Sequence, residues 1–503
     1  MTTEFQQEWK YGSRHPLGID VSRLKAAART RSAKYYLNVL AQADKSYCLG
    51  NEEILCGLAK FDQNAHQIQA SWRWAKKHRA DEVSAAELCR DYSDAGIHVV
   101  ELRLSFHELF NWRETAVAAC QQLGDRRGES SALLNLGVVH DHCGNYRDAI
   151  ELYQQGLIVA REVGDHPTEM AALNNLGTVH WACGDARKAI EFYEQSLTFV
   201  RETGDRRLEG ITLANLGLVH NALGDTVTAI ELHRQAIAIE RELGDYRGEG
   251  ISLSNMGLVY FEIGDARAAI EFYQQALAIA RELRDRRAEG YNLGNLGVAH
   301  CALGDARAAV EFNRQAIAIA REQENRQGLA NALGDLGIAY HSLGQTAEAI
   351  NCHQEHLAIA RGIGDRRGEA KALGNLGMVF HALGETGKAL EPYKHQLAIA
   401  REISDRRLEG IALGNLGVAY SALGDFEAAL KHFKEALAAA QETEDQWGEG
   451  ECSFNMAVLL FFGLSQKHEA IQYAENALTI LDKIASPRTE IVRQTLSQWR
   501  SQS

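Results

Sequence analysis

Histidines recur along this chain at a fixed spacing, and imidazoles in a regular array could ligate a metal ion. They stand forty residues apart at His140, His180, His220 and His300. The equivalent places in other repeats hold aromatic rings, namely Tyr260, Tyr340, Phe380 and Tyr420. A position shared by imidazole and aromatic rings is typical of packing, so we predict no metal site here, although His142 and Cys143 lie beside His140.

Phosphate binding and hydrolysis are two further chemistries to consider. The nearest approach to a phosphate-binding loop runs from Gly384 to Lys388, and it lacks the GxxxxGK[ST] spacing. The sequence contains no nucleophile elbow and no HExxH motif. We therefore predict that the chain is not an enzyme and that it uses no cofactor.

The turn sequence Asp-Arg-Arg-x-Glu also repeats, and its arginines could bind an anion. An aspartate at this place can accept hydrogen bonds from backbone N–H groups at a helix N-terminus. Arginines stand four residues before the aspartates, at Arg161, Arg201, Arg241, Arg281, Arg361 and Arg401. We interpret the motif as helix capping together with ion pairs between these arginines and aspartates.

A column of asparagines offers side chains that both donate and accept hydrogen bonds. Asp335 stands in the one interrupted place, and the members are Asn455 in the last unit and the seven asparagines that we predict to bind a partner: Asn135, Asn175, Asn215, Asn255, Asn295, Asn375 and Asn415. At about 100° per residue, Asn135 lies away from the stripe formed by Leu133, Leu136 and His140. Such amides can bind an extended peptide backbone. The alternative is a hydrogen bond between repeats that fixes their stacking.

These columns exist because a unit of forty residues recurs from about Gly124 to about Glu444. Such self-similarity indicates a solenoid, in which each unit buries its apolar face on the next. Glycine turns within each unit predict an antiparallel hairpin of two helices, and hence an all-α fold. A glycine inside the first helix, such as Gly137, costs about 1 kcal/mol relative to alanine. We expect it to pack against an alanine column that begins at Ala149.

The repeats resemble the tetratricopeptide repeat (TPR) family. The matching residues in the first clear unit are Leu136-Gly137, His140, Ala149, Tyr153 and Gly156. The forty-residue form with GDRRGE and GNLG is similar to Pins/LGN-type scaffold repeats, and also to repeats attached to bacterial NB-ARC-type signalling ATPases. The resemblance implies a right-handed superhelical solenoid whose first helices line the concave surface, where the asparagine column would then face.

Variable columns beside the asparagines are expected to give specificity. One column contains Trp181, Phe261, His341 and His381, and another contains Tyr291. We predict that all five residues contribute to the groove. The aromatic members are the predicted anchors, because buried aromatic side chains supply much of the energy of protein interfaces.

The ends of the chain depart from the repeat. We predict a flexible N-terminus (1–20), a helical region with room for one degenerate repeat (21–84), a degenerate TPR (85–124), nine TPR units (125–484) and a capping helix with a tail (485–503). The stretch GLAKFDQNAHQIQASWRWA resembles the region before the repeats in bacterial NB-ARC or STAND-type proteins.

Composition narrows the classes of partner. The formal net charge is −14 with no long run of either sign, so nucleic acid is not expected to bind. No apolar stretch approaches the roughly eighteen residues of a membrane span, and nine cysteines without a CxxC pair indicate reduced thiols and a cytoplasmic protein.

We predict a scaffold that binds a protein or peptide segment in its groove. An alternative function is a sensor or regulatory subunit of a bacterial STAND-like signalling or defence system, acting with a separate ATPase or effector. Self-association through the tryptophan-bearing N-terminal region is a further hypothesis.

Overall fold

The computed structural model describes residues 21–48, 52–484, 486 and 488–502. Every regular element in these ranges is helical, and no strand occurs among them, which confirms the predicted all-α fold. The predicted flexible segment 1–20 lies outside the described residues. The chain divides into two compact units, Met1–Val259 and Tyr260–Ser503, which we call the first and second units.

The first unit begins with five helices that precede the regular repeat: α1 (Val21–Cys48), α2 (Glu52–His78), α3 (Val83–Ala95), α4 (Ile97–Arg103) and α5 (Phe106–Leu123). Three hairpins follow: α6 (Arg126–His142) with α7 (Tyr146–Val163), α8 (His166–Ala182) with α9 (Ala186–Thr203), and α10 (Arg206–Ala222) with α11 (Thr226–Leu243). Helix α12 (Tyr246–Glu262) contains the boundary between the units.

The second unit continues with α13 (Ala266–Glu282) and five hairpins: α14 (Arg286–Ala302) with α15 (Ala306–Glu322), α16 (Arg326–Ser342) with α17 (Thr346–Ile363), α18 (Arg366–Ala382) with α19 (Thr386–Glu402), α20 (Arg406–Ala422) with α21 (Phe426–Glu442), and α22 (Gln446–Val458) with α23 (Lys467–Lys483). A π-helical turn, Leu459–Gly463, extends α22, and the last helix is α24 (Thr489–Gln502). We call the first helix of each hairpin helix A and the second helix B.

The predicted turn chemistry is present at most helix starts. Gly224 has a φ of 80°, a left-handed conformation that glycine adopts without a steric penalty. Asp225 then accepts a hydrogen bond from the backbone N–H of Thr228 at 3.2 Å, which caps α11. Asn145 differs, because its side chain makes no capping hydrogen bond to α7.

In α6, α8, α10, α14, α16, α18 and α20 the glycine in the middle of helix A packs against a ring or amide of helix B, a contact that the predicted alanine partner did not include. A Cβ atom added at Gly177 would lie 2.6 Å from Cε1 of Tyr193, and one at Gly217 would lie 2.7 Å from Nε2 of His233. Ala149 and its equivalents are fully buried, but the atoms nearest to a Cβ added at these glycines belong to the ring or amide. The glycine is required because a buried planar side chain lies directly over the backbone of helix A.

Glutamates, rather than the predicted aspartates, pair with the arginines at the ends of the B helices. The observed pairs are Arg161–Glu169, Arg201–Glu209, Arg241–Glu249, Arg281–Glu289, Arg361–Glu369 and Arg401–Glu409. The predicted pairing is wrong because the aspartate oxygens at these turns accept from the helix that follows, whereas the glutamate lies one turn further along it.

In four of these turns the glutamate and the first arginine of the motif together connect three successive helices. Glu209 accepts hydrogen bonds from Arg201 Nε at 2.9 Å and from Arg206 Nη1 at 2.5 Å, and Arg206 Nη2 reaches Glu242 at 2.9 Å. Burial alone would raise the pKa of Glu209, but the hydrogen bonds from the two arginines outweigh it and hold the pKa below its ordinary value. The Asp-Arg-Arg-x-Glu motif therefore ties α9, α10 and α11 together.

Both chain ends of the described structure carry their own cores. Trp72 stacks on Trp112 with ring centroids 5.0 Å apart, and both are buried among α1 to α5, so these rings are not on the surface. At the other end, α24 buries Val492, Leu496 and Trp499 against the last hairpin. None of the described helices has the length and apolar character needed to cross a membrane.

Two glycines three residues apart in α20 test the packing explanation. We expect Gly417→Ala to destabilise the fold by about 2 kcal/mol, because the new Cβ would lie 2.6 Å from the buried Phe433 ring. Gly414→Ala is the matched control. Its Cβ would meet only Cys452 Sγ at 4.0 Å, so it should stabilise the helix by up to about 1 kcal/mol. Urea unfolding followed by circular dichroism measures both changes, and equal effects of the two substitutions would contradict the explanation.

Candidate functional site

The asparagine column lies on the A helices, and its side chains are half-buried in both units. Only Asn215 among the seven predicted asparagines makes a side-chain hydrogen bond within the described residues: its Nδ2 donates to Asn174 Oδ1 at 3.3 Å. That contact joins α10 to α8, as the stacking alternative expects. The remaining six amides have no partner in the described part of the chain, and stacking therefore does not account for them.

The second unit contains a concave cavity of about 1040 Å³ on the side where the amides lie. Helices α14, α16, α18, α20 and α22 form its wall, and residues of the B helices form its base. Four predicted site residues line it together: Tyr291, Asn295, Asn375 and Asn415. Tyr291 is 55% exposed, so its ring is open to a ligand.

The cavity exists because small residues face each other in this unit. Gly294 and Gly414 on the A helices have almost nothing near them, since an added Cβ would meet no atom within 4 Å at Gly294 and only one at Gly414. In the first hairpin of the first unit the equivalent place is filled, because Leu134 Cδ1 lies against the position of a Cβ added at Gly156. Apolar side chains such as Ile338 and Met378 add a hydrophobic part to the lining.

Other predicted site residues lie elsewhere. Phe261, His341 and His381 do not line this cavity, and the His381 ring lies 3.2 Å from Thr386 Oγ1 at the turn into α19. Trp181 is in the first unit, where it is half-buried and packs against the core around Tyr193. Their predicted contribution to a groove stays a prediction.

Two cavity residues were not expected from the sequence. His356 and Gln396 lie on α17 and α19, at a place where the other B helices carry a small residue such as Ala316 or Ala436. The signal that could have found them is a pair of changes: a large residue on helix B accompanies a glycine on helix A, as in Gly334 with His356.

Asp335 replaces an asparagine in the wall of the cavity. Burial raises the pKa of this carboxyl to about 7, and the positive charge of Lys371 offsets only part of that rise. Lys371 has no ion-pair partner among the described residues, whereas Arg407 is paired with Asp445 at 3.2 Å. At neutral pH the Asp335 carboxyl is therefore only partly ionised.

The lining groups can form hydrogen bonds but are poorly suited to covalent chemistry. Burial raises the pKa of the Cys452 thiol to about 12, so this sulfur stays protonated and is a weak nucleophile. No cluster of three or more His, Cys, Asp or Glu side chains suited to a metal occurs in the described ranges. His180 in the histidine column stacks on Phe192 at 5.3 Å, which confirms that this column serves packing.

A family model described as "Tetratricopeptide repeat" matches residues 128–202, 208–282, 286–362, 328–402, 368–442 and 408–483. The chain belongs to the tetratricopeptide repeat family. The predicted resemblance is thereby confirmed over most of the array, and the matched model describes a repeat and not a catalytic domain. No curated protein sequence matches the chain.

Several solved structures share the fold. A Signal Transduction ATPase with Numerous Domains (STAND) protein with a tetratricopeptide repeat sensor, from Pyrococcus horikoshii, is 15% identical with a TM-score of 0.54, over 82% of this chain and 64% of that one. The apo form of the quorum sensor NprR from B. thuringiensis is 14% identical with a TM-score of 0.51, over 73% of this chain and 97% of that chain. A Rap protein complexed with Competence and Sporulation Factor is 16% identical with a TM-score of 0.51, over 71% of this chain and 99% of that chain. At these identities the likeness concerns the fold.

Asp335→Asn tests the electrostatics of the cavity. A raised carboxyl pKa means that the folded state binds the proton more tightly, so the natural chain loses stability as pH rises from about 4 through about 7. Asparagine does not titrate. The full shift corresponds to about 4 kcal/mol, and solvent screening of this half-buried group reduces it to roughly 2 kcal/mol.

We expect Asp335→Asn and the natural chain to unfold at nearly the same urea concentration at pH 3.5, and the variant to be more stable at pH 8 by roughly 2 kcal/mol. Urea titrations at the two pH values measure the difference. A difference in the free energy of unfolding between the two proteins that is the same at both pH values would show that folding does not raise the pKa of Asp335.

Proposed function

We propose that the chain is a protein-interaction scaffold and that the cavity of the second unit binds an extended segment of a partner protein. The observation that carries the proposal is a row of half-buried amides without intrachain partners, Asn295, Asn375 and Asn415, in the wall of a 1040 Å³ cavity. Nδ2 of Asn295 is buried without a hydrogen bond, which costs stability, and a ligand that pairs with it would offset that cost.

The chemistry of these amides suits a peptide backbone. Each carboxamide can donate to a carbonyl oxygen and accept from an N–H group, which is the pair of groups that every non-proline residue of an extended chain offers. A helical segment has already used most of these groups internally, so it is the less suitable ligand. The amides therefore favour an extended segment, and other residues must recognise its side chains.

The size of the cavity sets the length of the segment. Five A helices line it, and helices in contact lie about 9 Å apart, so the wall extends about 36 Å. An extended chain advances about 3.3 Å per residue. A segment of about eleven residues would span the cavity, with an amide column member near every third residue.

The amides of the first unit extend the proposal. Asn135, Asn175 and Asn255 are half-buried and without partners in the described chain, whereas Asn215 is engaged with Asn174. We therefore expect Asn215 to contribute less to binding than its column would suggest. Trp181 remains the proposed aromatic anchor in this unit.

The paired substitution Asn375→Ala with Asn415→Ala tests the function. A phage library of random 12-residue peptides is panned against the natural chain, and fluorescence anisotropy gives the Kd of an enriched peptide. Removing two amides should weaken binding about 10- to 100-fold, because two to four hydrogen bonds are lost. The melting temperature should change by less than about 2 °C, since neither side chain has an intrachain partner.

Asn351→Ala on the exposed start of α17 is the matched control, and it should bind the peptide like the natural chain. Binding that survives the loss of both cavity amides would refute the proposed site. A failure of any peptide to enrich would refute the proposed function.

A second function, a sensor or regulatory subunit of a bacterial signalling system, is favoured by one observation. The fold likeness to the STAND protein with a tetratricopeptide repeat sensor extends over 82% of this chain, including helices before the regular repeat. We expect that purification of the tagged chain from its source cells with a non-hydrolysable ATP analogue would retain an ATPase. Recovery of partners with no ATPase among them would count against this second function. Self-association, the remaining hypothesis, is measured by sedimentation.

A further inference from the structure

Two neighbouring B helices break the small-residue pattern at the base of the cavity. The place held by Gly156, Ser196, Ala236, Ala316 and Ala436 in other repeats holds His356 on α17 and Gln396 on α19. Both side chains line the cavity, and both are almost fully buried, with exposed fractions of 4% and 2%. Large polar residues have replaced small ones in two adjacent repeats and nowhere else in this part of the wall.

The A helices opposite are adapted to these two side chains. A Cβ added at Gly334 would lie 2.9 Å from Nδ1 of His356, and one at Gly374 would lie 2.6 Å from Nε2 of Gln396. Each glycine therefore leaves room for the polar side chain opposite it. The arrangement keeps the imidazole and the amide in place at the base of the cavity.

Both residues have polar atoms without partners. Neither ring nitrogen of His356 makes a hydrogen bond, and Oε1 of Gln396 accepts none, within the described structure. An unpaired buried polar group costs about 1–3 kcal/mol. Groups of this kind that border a cavity indicate a ligand that completes their hydrogen bonds.

The surroundings leave these groups uncharged. Burial lowers the pKa of His356, with the negative charge of Asp365 opposing that effect and the positive charge of Lys371 adding to it. Burial also keeps Asp335 on α16 largely protonated below neutral pH. A neutral imidazole offers one donor and one acceptor, and Oε1 of Gln396 offers an acceptor. A cationic ligand group reaching this depth would lose its hydration and would be repelled by Lys371, and neither His356 nor Gln396 offers a charge to a ligand.

We propose that His356 and Gln396 form a specificity pocket that receives a primary carboxamide, the side chain of an asparagine or glutamine on the bound segment. The carboxamide N–H donates to Gln396 Oε1 or to the unprotonated ring nitrogen, and its oxygen accepts from the imidazole N–H. An apolar side chain would leave these groups unpaired. The inference rests on the proposed function, because the pocket lies beneath the amides that hold the segment.

The test uses the full chain and the random 12-residue phage library. The variant His356→Ala with Gln396→Ala restores the alanines of the adjacent repeats, Ala316 and Ala436, so the fold should tolerate it. Peptides selected by the natural chain should share an Asn or Gln at one position. Replacing that residue with Glu, Lys or Met should each weaken binding by at least about 10-fold. The double variant should bind all four peptides within about 3-fold of one another.

The outcomes separate the two proposals. A shared Glu, Asp, Lys, Arg or apolar residue in place of the carboxamide overturns the pocket's assignment, and so does a double variant that keeps the 10-fold preference. The selected peptides could instead share no residue and still lose binding when Asn375→Ala and Asn415→Ala are combined. That result would overturn the specificity pocket alone, and the proposed scaffold function would stand. No enriched peptide at all overturns both.

Discussion

The close contact between the mid-helix glycine of helix A and the planar side chain of helix B is the interaction on which the rest of the array depends. It brings the two helices of a hairpin together through the face that carries Leu136, Gly137 and His140. That face is fully used by packing. The asparagines lie on another face, so their side chains are free to act on something other than the hairpin, and only Asn215 is used for stacking.

In the second unit, smaller side chains on both helices of a hairpin leave a cavity beside this packed face. Gly294 and Gly414 remove the side chain that Leu134 supplies in the first unit, and the alanines opposite them do not fill the gap. His356 and Gln396 then return polar groups to the space that small residues had opened. A cavity with amides in its wall, apolar side chains in its lining and uncharged polar groups at its base suits a peptide better than an ion or a phosphate.

The sequence was sufficient for the fold and for the asparagine column because both are expressed within one helix at a time. A 3.6-residue period places Asn135 off the apolar stripe, and a glycine followed by aspartate marks many of the turns. It was insufficient where the partner lies across a turn. The side chain nearest to Gly137 is Tyr153, a contact that the predicted alanine partner did not include, and Arg201 pairs with Glu209 and not with Asp205, because the direction of a side chain depends on how two helices cross. The place of His356 in the cavity was not predicted, because the space for its imidazole is provided by Gly334, 22 residues earlier in the chain.

The central claim is that the unpartnered amides of the second unit contact the bound segment. Side-chain amide resonances in a ¹⁵N–¹H spectrum report this contact without any substitution in the site. We expect a saturating selected peptide to shift the Nδ2 resonances of Asn375 and Asn415 and to leave that of Asn351 unchanged. A peptide that binds while the Asn375 and Asn415 resonances stay in place would contradict it.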